Sequence, residues 1–207
     1  HGGFRQMTRS VFTNGVHDII GTQFRNLATV GGSAYARMGF SAIVTSLLPL
    51  DTYVEFTGAG TMRFADFVNG GAARDVLERI VVRKHDYRAS FQCLRNSATD
   101  FSTLNACAAL WDGQWHLAVG ARPKKAKFLE GEDLGLPARF SPEELDAACQ
   151  RARDLNYGTD RRASAAYRAE LAEVLSRRAI LEAAAQQDVA TELRLAAEAA
   201  KPKGVSA

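Results

Sequence analysis

Apolar positions along this chain change their spacing twice, and the changes divide it into three stretches. In the first, Phe40 to Leu50 is a mostly apolar helical run that breaks near Pro49. Thr52-Tyr53-Val54-Glu55-Phe56 then alternates as a strand does, with Val54 and Phe56 on one face and Tyr53 and Glu55 on the other. Gly58 and Gly60 mark a turn, and residues 63–68 form a short amphipathic helical turn. Asn69-Gly70-Gly71 punctuates the chain and sets a domain boundary there.

Four strand candidates follow: Leu77 to Arg83, β-branched and of buried character, then Tyr87 to Leu94, Asn105 to Leu110 and Trp115 to Gly120. The last two flank Asp112-Gly113, and both residues tolerate positive φ, so a tight hairpin is expected. The four together predict an antiparallel sheet. The third stretch is alanine-rich. Ser141-Pro142-Glu143-Glu144 has a capping hydroxyl, a first-turn proline and two acids at the positive end of the dipole, so a helix starts there and runs to about Leu155. A second helix starts near Ala163, with Tyr167, Leu171, Val174, Leu175 and Leu181 approximating one stripe. Residues 1–70, 71–185 and a helical or frayed tail, 186–207, are the expected units. The expected class is α+β.

Composition narrows the function without naming it. The 207 residues carry 26 basic and 23 acidic side chains, a net charge of +3, too small by itself to argue for nucleic acid or a membrane surface. No apolar run reaches the roughly 18 residues of a membrane span. No signal peptide is evident, and the sequence begins at His1, so a longer reading frame or processing is expected. Three widely spaced cysteines, Cys93, Cys107 and Cys149, argue against a disulfide framework, a zinc site or an iron–sulfur site, and a cytoplasmic setting follows.

Candidate chemistry is sparse. Gly31-Gly32 would let backbone N–H groups approach a phosphate, with the Thr29 and Ser33 hydroxyls as further donors. The same residues also suit a tight turn between a strand and a helix. Neither a Gly-x-Gly-x-x-Gly fingerprint nor a Walker lysine is present. His17, His85 and His116 have no metal-like spacing and no carboxylate partner visible in the sequence. The basic run from Arg122 to Lys127 reads as a solvated loop, because no aromatic platform accompanies it.

The string Gln23-Phe24-Arg25-Asn26-Leu27-Ala28-Thr29-Val30-Gly31-Gly32-Ser33 is more specific than its glycines. It resembles the second flavin-binding motif of the FAD subunit of molybdenum hydroxylases, the xanthine dehydrogenase and carbon monoxide dehydrogenase family. Leu50-Asp51 closes the segment at the family's distance. Three further blocks resemble the family: Arg95-Asn96-Ser97-Ala98-Thr99-Asp100-Phe101, then Val119-Gly120-Ala121-Arg122-Pro123, then the helix from Asp160 through Tyr167-Arg168 to Arg177-Arg178-Ala179. The resemblance covers roughly residues 16 to 181.

It implies the second lobe of a two-lobed FAD-binding domain, then an antiparallel sheet with a helical bundle, the carbon monoxide dehydrogenase flavoprotein C-terminal type. It places Thr29, Val30, Gly31, Gly32 and Ser33 against the FAD diphosphate and Phe24 near the flavin or its linker. Leu77 and Gln92 fall near the family's isoalloxazine contacts, although a lysine often stands where Gln92 does. Where the family has Ser-Asp this chain has Ser41-Ala42, so the resemblance keeps Ser41 as a cofactor-binding residue while the contact of the acid is lost. The family's first flavin motif has no counterpart here, so the chain resembles a fragment, or one completed by another polypeptide. The implied function is electron transfer by an oxidoreductase subunit: FAD accepts electrons from a [2Fe–2S] partner, beside a molybdopterin-binding subunit, and passes them to NAD or another acceptor. The resemblance supplies no catalytic side chain and no metal ligand on this chain. The alternative is a docking module of the same complex that has lost independent flavin binding.

Overall fold

The structure is a computed structural model and describes residues 3, 7, 8, 11–17, 19, 21–70, 74–98 and 100–186. Among the elements bounded within the described residues, four short helices come first: α1 (Val11–His17), α2 (Thr22–Leu27), α3 (Val30–Ala36) and α4 (Ala42–Leu47). The hairpin of β1 (Thr52–Phe56) and β2 (Gly60–Arg63) leads into α5 (Phe64–Asn69). Then come β3 (Leu77–Val82), β4 (Arg88–Leu94), β5 (Leu104–Trp111), β6 (Gln114–Gly120) and β7 (Lys127–Glu130). A single turn, α6 (Gly131–Leu134), precedes the long helices α7 (Pro142–Arg153) and α8 (Ala165–Ala184).

Two antiparallel sheets result, one of order β2-β1-β3 and one of order β4-β5-β6-β7. The alternation read in 52–56 holds, since Val54 and Phe56 are buried with the α4 and α5 side chains. Leu77 to Arg83, expected in the second sheet, instead pairs with β1, from Thr52 opposite Val82 to Phe56 opposite Leu77. The first sheet therefore reaches past Gly70, and the change of sheet falls between Val82 and Arg88. As an edge strand β3 is only half-buried, which departs from its apolar look. Strand composition reports burial and not partner, and partner choice is set by contacts remote in sequence.

The Asp112-Gly113 turn forms as expected, with φ of 48° and 73°, both in the left-handed region a two-residue hairpin needs. β5 is buried on both faces. Leu104, Ala106, Ala108 and Leu110 pack under α7 and α8, while Cys107 and Ala109 pack with Val11, Ala42, Leu50 and Tyr87 of the other layer. Its small side chains suit a strand enclosed by two layers. The capping box at Ser141 is complete: Ser141 Oγ accepts from Glu144 N at 3.3 Å, and Ser141 N donates to Glu144 Oε2 at 2.7 Å. Gln186 lines the free edge of β4, donating to Ala89 O at 2.9 Å and accepting from Ala89 N at 3.0 Å. The rest of the expected tail, 187–207, lies outside the described residues.

The α8 stripe splits in two. Leu171 and Leu175 are buried, whereas Tyr167, Val174 and Leu181 face outward. The buried face also carries the most deeply buried charge among the described residues. Arg168, 1% exposed, donates Nε to Thr103 O at 3.0 Å, Nη1 to Gly158 O at 2.7 Å and Ala163 O at 2.8 Å, and Nη2 to Asp160 Oδ1 at 2.6 Å. Every nitrogen of the guanidinium is bonded, as a buried cation requires.

Candidate cofactor site

Thr29 is extended, with φ −113° and ψ 148°, and its Oγ1 accepts from Gly32 N at 2.9 Å. That cap starts α3, so the glycine pair stands in the first turn of a helix and not in a strand-to-helix turn. A Cβ on Gly32 would sit 2.8 Å from Thr29 Oγ1, while one on Gly31 would meet nothing within 4 Å. The cap takes the Gly32 N–H, and Thr29 O accepts from Ser33 N at 3.1 Å. Of the first-turn amides, those of Val30 and Gly31 are left to water or a ligand.

Ser41 repeats the device, its Oγ accepting from Val44 N at 3.3 Å to cap α4. Between the two caps the chain passes close to the loop after β6. Gly39 O accepts from Ala121 N at 2.7 Å, and a Cβ on Gly39 would lie 2.1 Å from Lys124 O, so only glycine fits.

Both helix starts open on one cavity of about 570 Å³, within the range of small-molecule sites. Phe24, Thr29, Gly32, Ser33, Ser41 and Ala42 line one side. Arg95, Asp100, Phe101 and Ser102, from the loop between β4 and β5, line another. Thus five of the residues singled out in the sequence, Phe24, Thr29, Gly32, Ser33 and Ser41, come together. Val30 and Gly31 adjoin them without lining the cavity. Leu77 lies in β3, and Gln92 lines a separate depression with Asn14 and His17, donating to Glu182 Oε2 at 2.5 Å.

The loop 95–102 is the part that sequence reasoning quoted but did not assign to a site. Arg95 Nη1 donates to Asp100 O at 3.0 Å. Arg162, from the turn before α8, donates Nε and Nη2 to Asp100 Oδ1 at 3.0 and 2.8 Å. That guanidinium holds the Asp100 carboxyl below its ordinary pKa, and Asp100 in turn raises that of Arg162. The Phe101 ring lies 4.5 Å from Phe40 and 5.4 Å from the Arg162 guanidinium carbon. Beyond Phe40 and Phe101 a second hollow of about 280 Å³ is lined by Lys124, Asp160 and Arg162. Beneath Ser102 runs a buried relay: Thr45 Oγ1 donates to Asn105 Oδ1 at 2.9 Å, and Asn105 Nδ2 donates to Ser102 Oγ at 3.3 Å.

Other expectations are refined. His85 does have carboxylate partners: Nε2 is 2.8 Å from Asp51 Oδ2 and Nδ1 is 3.3 Å from Asp112 Oδ1. They stand 34 and 27 residues away, beyond any local spacing signal. His116 is buried, stacked on Trp111 at 4.4 Å, and burial pushes its pKa down. Arg122, read as part of a solvated loop, is also buried; it donates to Asn156 O at 2.5 Å, and desolvation lowers its pKa. The Cys149 thiol is pushed up to about 11 by burial, so it is no nucleophile. Among the described residues no group of three or more metal-binding side chains occurs, and no helix is long and apolar enough to cross a membrane.

The sheet and its two long helices are similar to a known family. Residues 89–183 match the family described as CO dehydrogenase flavoprotein C-terminal domain. Over those residues the chain is similar to that domain. The span runs from β4 to the end of α8, so the resemblance read in the sequence is borne out there, fold class included.

Solved structures extend the match to the fold around it. Carbon monoxide dehydrogenase from Oligotropha carboxidovorans aligns with a TM-score of 0.72 at 21% identity, over 89% of this chain and 70% of that one. Quinoline 2-oxidoreductase from Pseudomonas putida 86 aligns at 0.69 and 20%, over 83% and 65%. Carbon monoxide dehydrogenase from Hydrogenophaga pseudoflava, in a form lacking the Mo-pyranopterin moiety, aligns at 0.69 and 20%, over 80% and 63%. The chain thus spans under two thirds of the length of the last two. No curated protein matches it.

Proposed function

We propose that this chain is the FAD-binding, electron-transfer part of a molybdenum hydroxylase. The observation that carries the reading is the single cavity that joins the capped start of α3 to the 95–102 loop. Two sequence blocks with the same family resemblance, about seventy residues apart, meet there.

The residues fit a dinucleotide. Gly31 leaves open space where a side chain would stand, and Thr29 and Ser41 shape two helix starts at the rim. The proposed contact set is Phe24, Thr29, Gly32, Ser33 and Ser41, with the amides of Val30 and Gly31 beside them. Leu77 and Gln92 stand outside it, since neither lines the cavity. FAD, when bound, supplies acceptance of single electrons from a [2Fe–2S] partner and release of two to an acceptor such as NAD. The chain's own residues have the task of binding and orienting: the amides face anionic oxygens, Phe24 and Phe101 offer aromatic surface, and Arg95 and Arg162 set the local field. A molybdopterin-binding subunit completes the proposed complex, and a cytoplasmic, xanthine dehydrogenase-like setting accords with the resemblance.

Ala42 favours a second reading. It lines the cavity where the family resemblance calls for an acid, which suits a docking module that no longer holds flavin unaided. Flavin fluorescence quenching separates the two. Saturable FAD binding by the chain, alone or with its [2Fe–2S] and molybdopterin subunits, and its loss in Gly32→Val, supports electron transfer. Absence of binding in both preparations leaves the docking role.

A further inference from the structure

The outward face of α8 has an internal order that packing among the described residues does not account for. Tyr167, Val174 and Leu181 are 48%, 42% and 47% exposed. They are seven residues apart, and a straight helix drifts only about 20° per seven residues, so the three form one seam along its length. Glu170 and Arg178 are exposed on the same side. The seam reads the same from both ends in size and oppositely in charge. Large apolar residues lie seven before and seven after Val174, an acid lies four before it and a base four after. The opposite face, with Leu171, Leu175, Ala179 and Ile180, packs into the core against the sheet and α7.

We propose that this seam is a contact surface for a second copy of the same chain, with two α8 helices antiparallel and the two-fold axis at Val174. The symmetry follows from the spacing. In that arrangement Tyr167 of each copy meets Leu181 of the other, Val174 meets its own counterpart, and Glu170 and Arg178 pair twice. A two-fold interface must be complementary to itself, and a seam with opposite charges equidistant from its centre is. A parallel pairing would instead set Glu170 beside Glu170 and Arg178 beside Arg178, which is repulsive. Glu170 also meets Arg153 of its own chain, but that contact uses Oε1 alone.

Sedimentation equilibrium of the 207-residue chain tests the proposal. The expected result is a mass that rises with concentration from 22.5 kDa to twice that value. Val174→Asp, which would put two carboxylates on the axis, and Arg178→Glu, which would face Glu170, should each hold the chain at the monomer mass. The exchange Glu170→Arg with Arg178→Glu should restore the dimer, because the antiparallel pairs re-form with reversed polarity. Val174→Cys should cross-link to itself under mild oxidation. A chain that stays monomeric at every concentration, as it would if another subunit covered α8, overturns the proposal. So does a dimer that Val174→Asp leaves intact, or one that the double exchange fails to restore.

Discussion

Arg162 places two nitrogens on a single oxygen of Asp100, 62 residues earlier in the sequence, at 3.0 and 2.8 Å. The pair pins the loop that walls the cavity to the turn that starts α8, and Asn96 reinforces it by donating to Arg162 O at 3.1 Å. Arg162→Ala should weaken FAD binding several-fold while leaving far-ultraviolet circular dichroism unchanged, because the loop loses its anchor and the sheet does not. Since the folded carboxyl has a lowered pKa, its contribution is complete above the unfolded value of about 4 and disappears as pH falls through the folded one. Urea titrations of Asp100→Asn against wild type below neutral pH should therefore converge in acid.

Arg168 is a heavier commitment. Removing it takes the guanidinium donors from the carbonyls of Thr103, Gly158 and Ala163 and breaks the ion pair with Asp160 inside the fold. Arg168→Met should cost about 3–5 kcal/mol of stability, the range for one partner lost from a buried ionic cluster. Arg168→Lys should recover only part, since one ammonium cannot serve four acceptors in a planar fan. Chemical denaturation of the three proteins checks both statements.

Ala42 begins α4 directly after its cap and lines the cavity. An acid there sits at the positive end of the helix and can accept from a ligand. Ala42→Asp should tighten FAD binding about threefold to tenfold, the value of one added hydrogen bond. Fluorescence titration of both proteins under the same conditions reads the change. Unchanged or weaker binding would mean that the apolar wall, not the absent acid, governs this position.

His116 is buried between Trp111 and Phe128, and its Nδ1 has no hydrogen-bond partner among the described residues. Burial lowers its pKa, so the unfolded chain takes up a proton first. Stability is then full above the unfolded value of about 6.5 and falls as pH drops below it toward the folded value. His116→Phe keeps the stack and has no proton to gain. Its thermal midpoint should be less sensitive to pH between about 6.5 and 5 than that of the wild type, as a melting series would show.

Much of this was legible from local patterns. The Asp112-Gly113 hairpin, the Ser141 cap and the alternation of Thr52–Phe56 are signals carried by a few adjacent residues, and each forms as read. The partner of Leu77–Val82 was not legible, because a strand's composition does not say which edge it joins. Neither were α1 to α3, six or seven residues each, too short for a period to emerge. At the site, Thr29 to Ser33 stood out through its motif. Arg95 to Ser102 reaches the same cavity through the turn between α3 and α4, the Asn105 relay to Thr45 and the anchor at Arg162, contacts that no spacing rule encodes.

Enclosure of β5 also sets a clock. The strand is hydrogen-bonded on both edges and covered on both faces, so its amides have no local route to water. They can exchange with solvent deuterium only when the whole molecule opens, whereas β2, an exposed edge strand, can open alone. Between those limits lies the 95–102 loop, joined at one end to β4 and near the other to β5. A ligand in the cavity would slow exchange in that loop and leave the β5 rate as the measure of global stability, so one experiment would report both occupancy and folding.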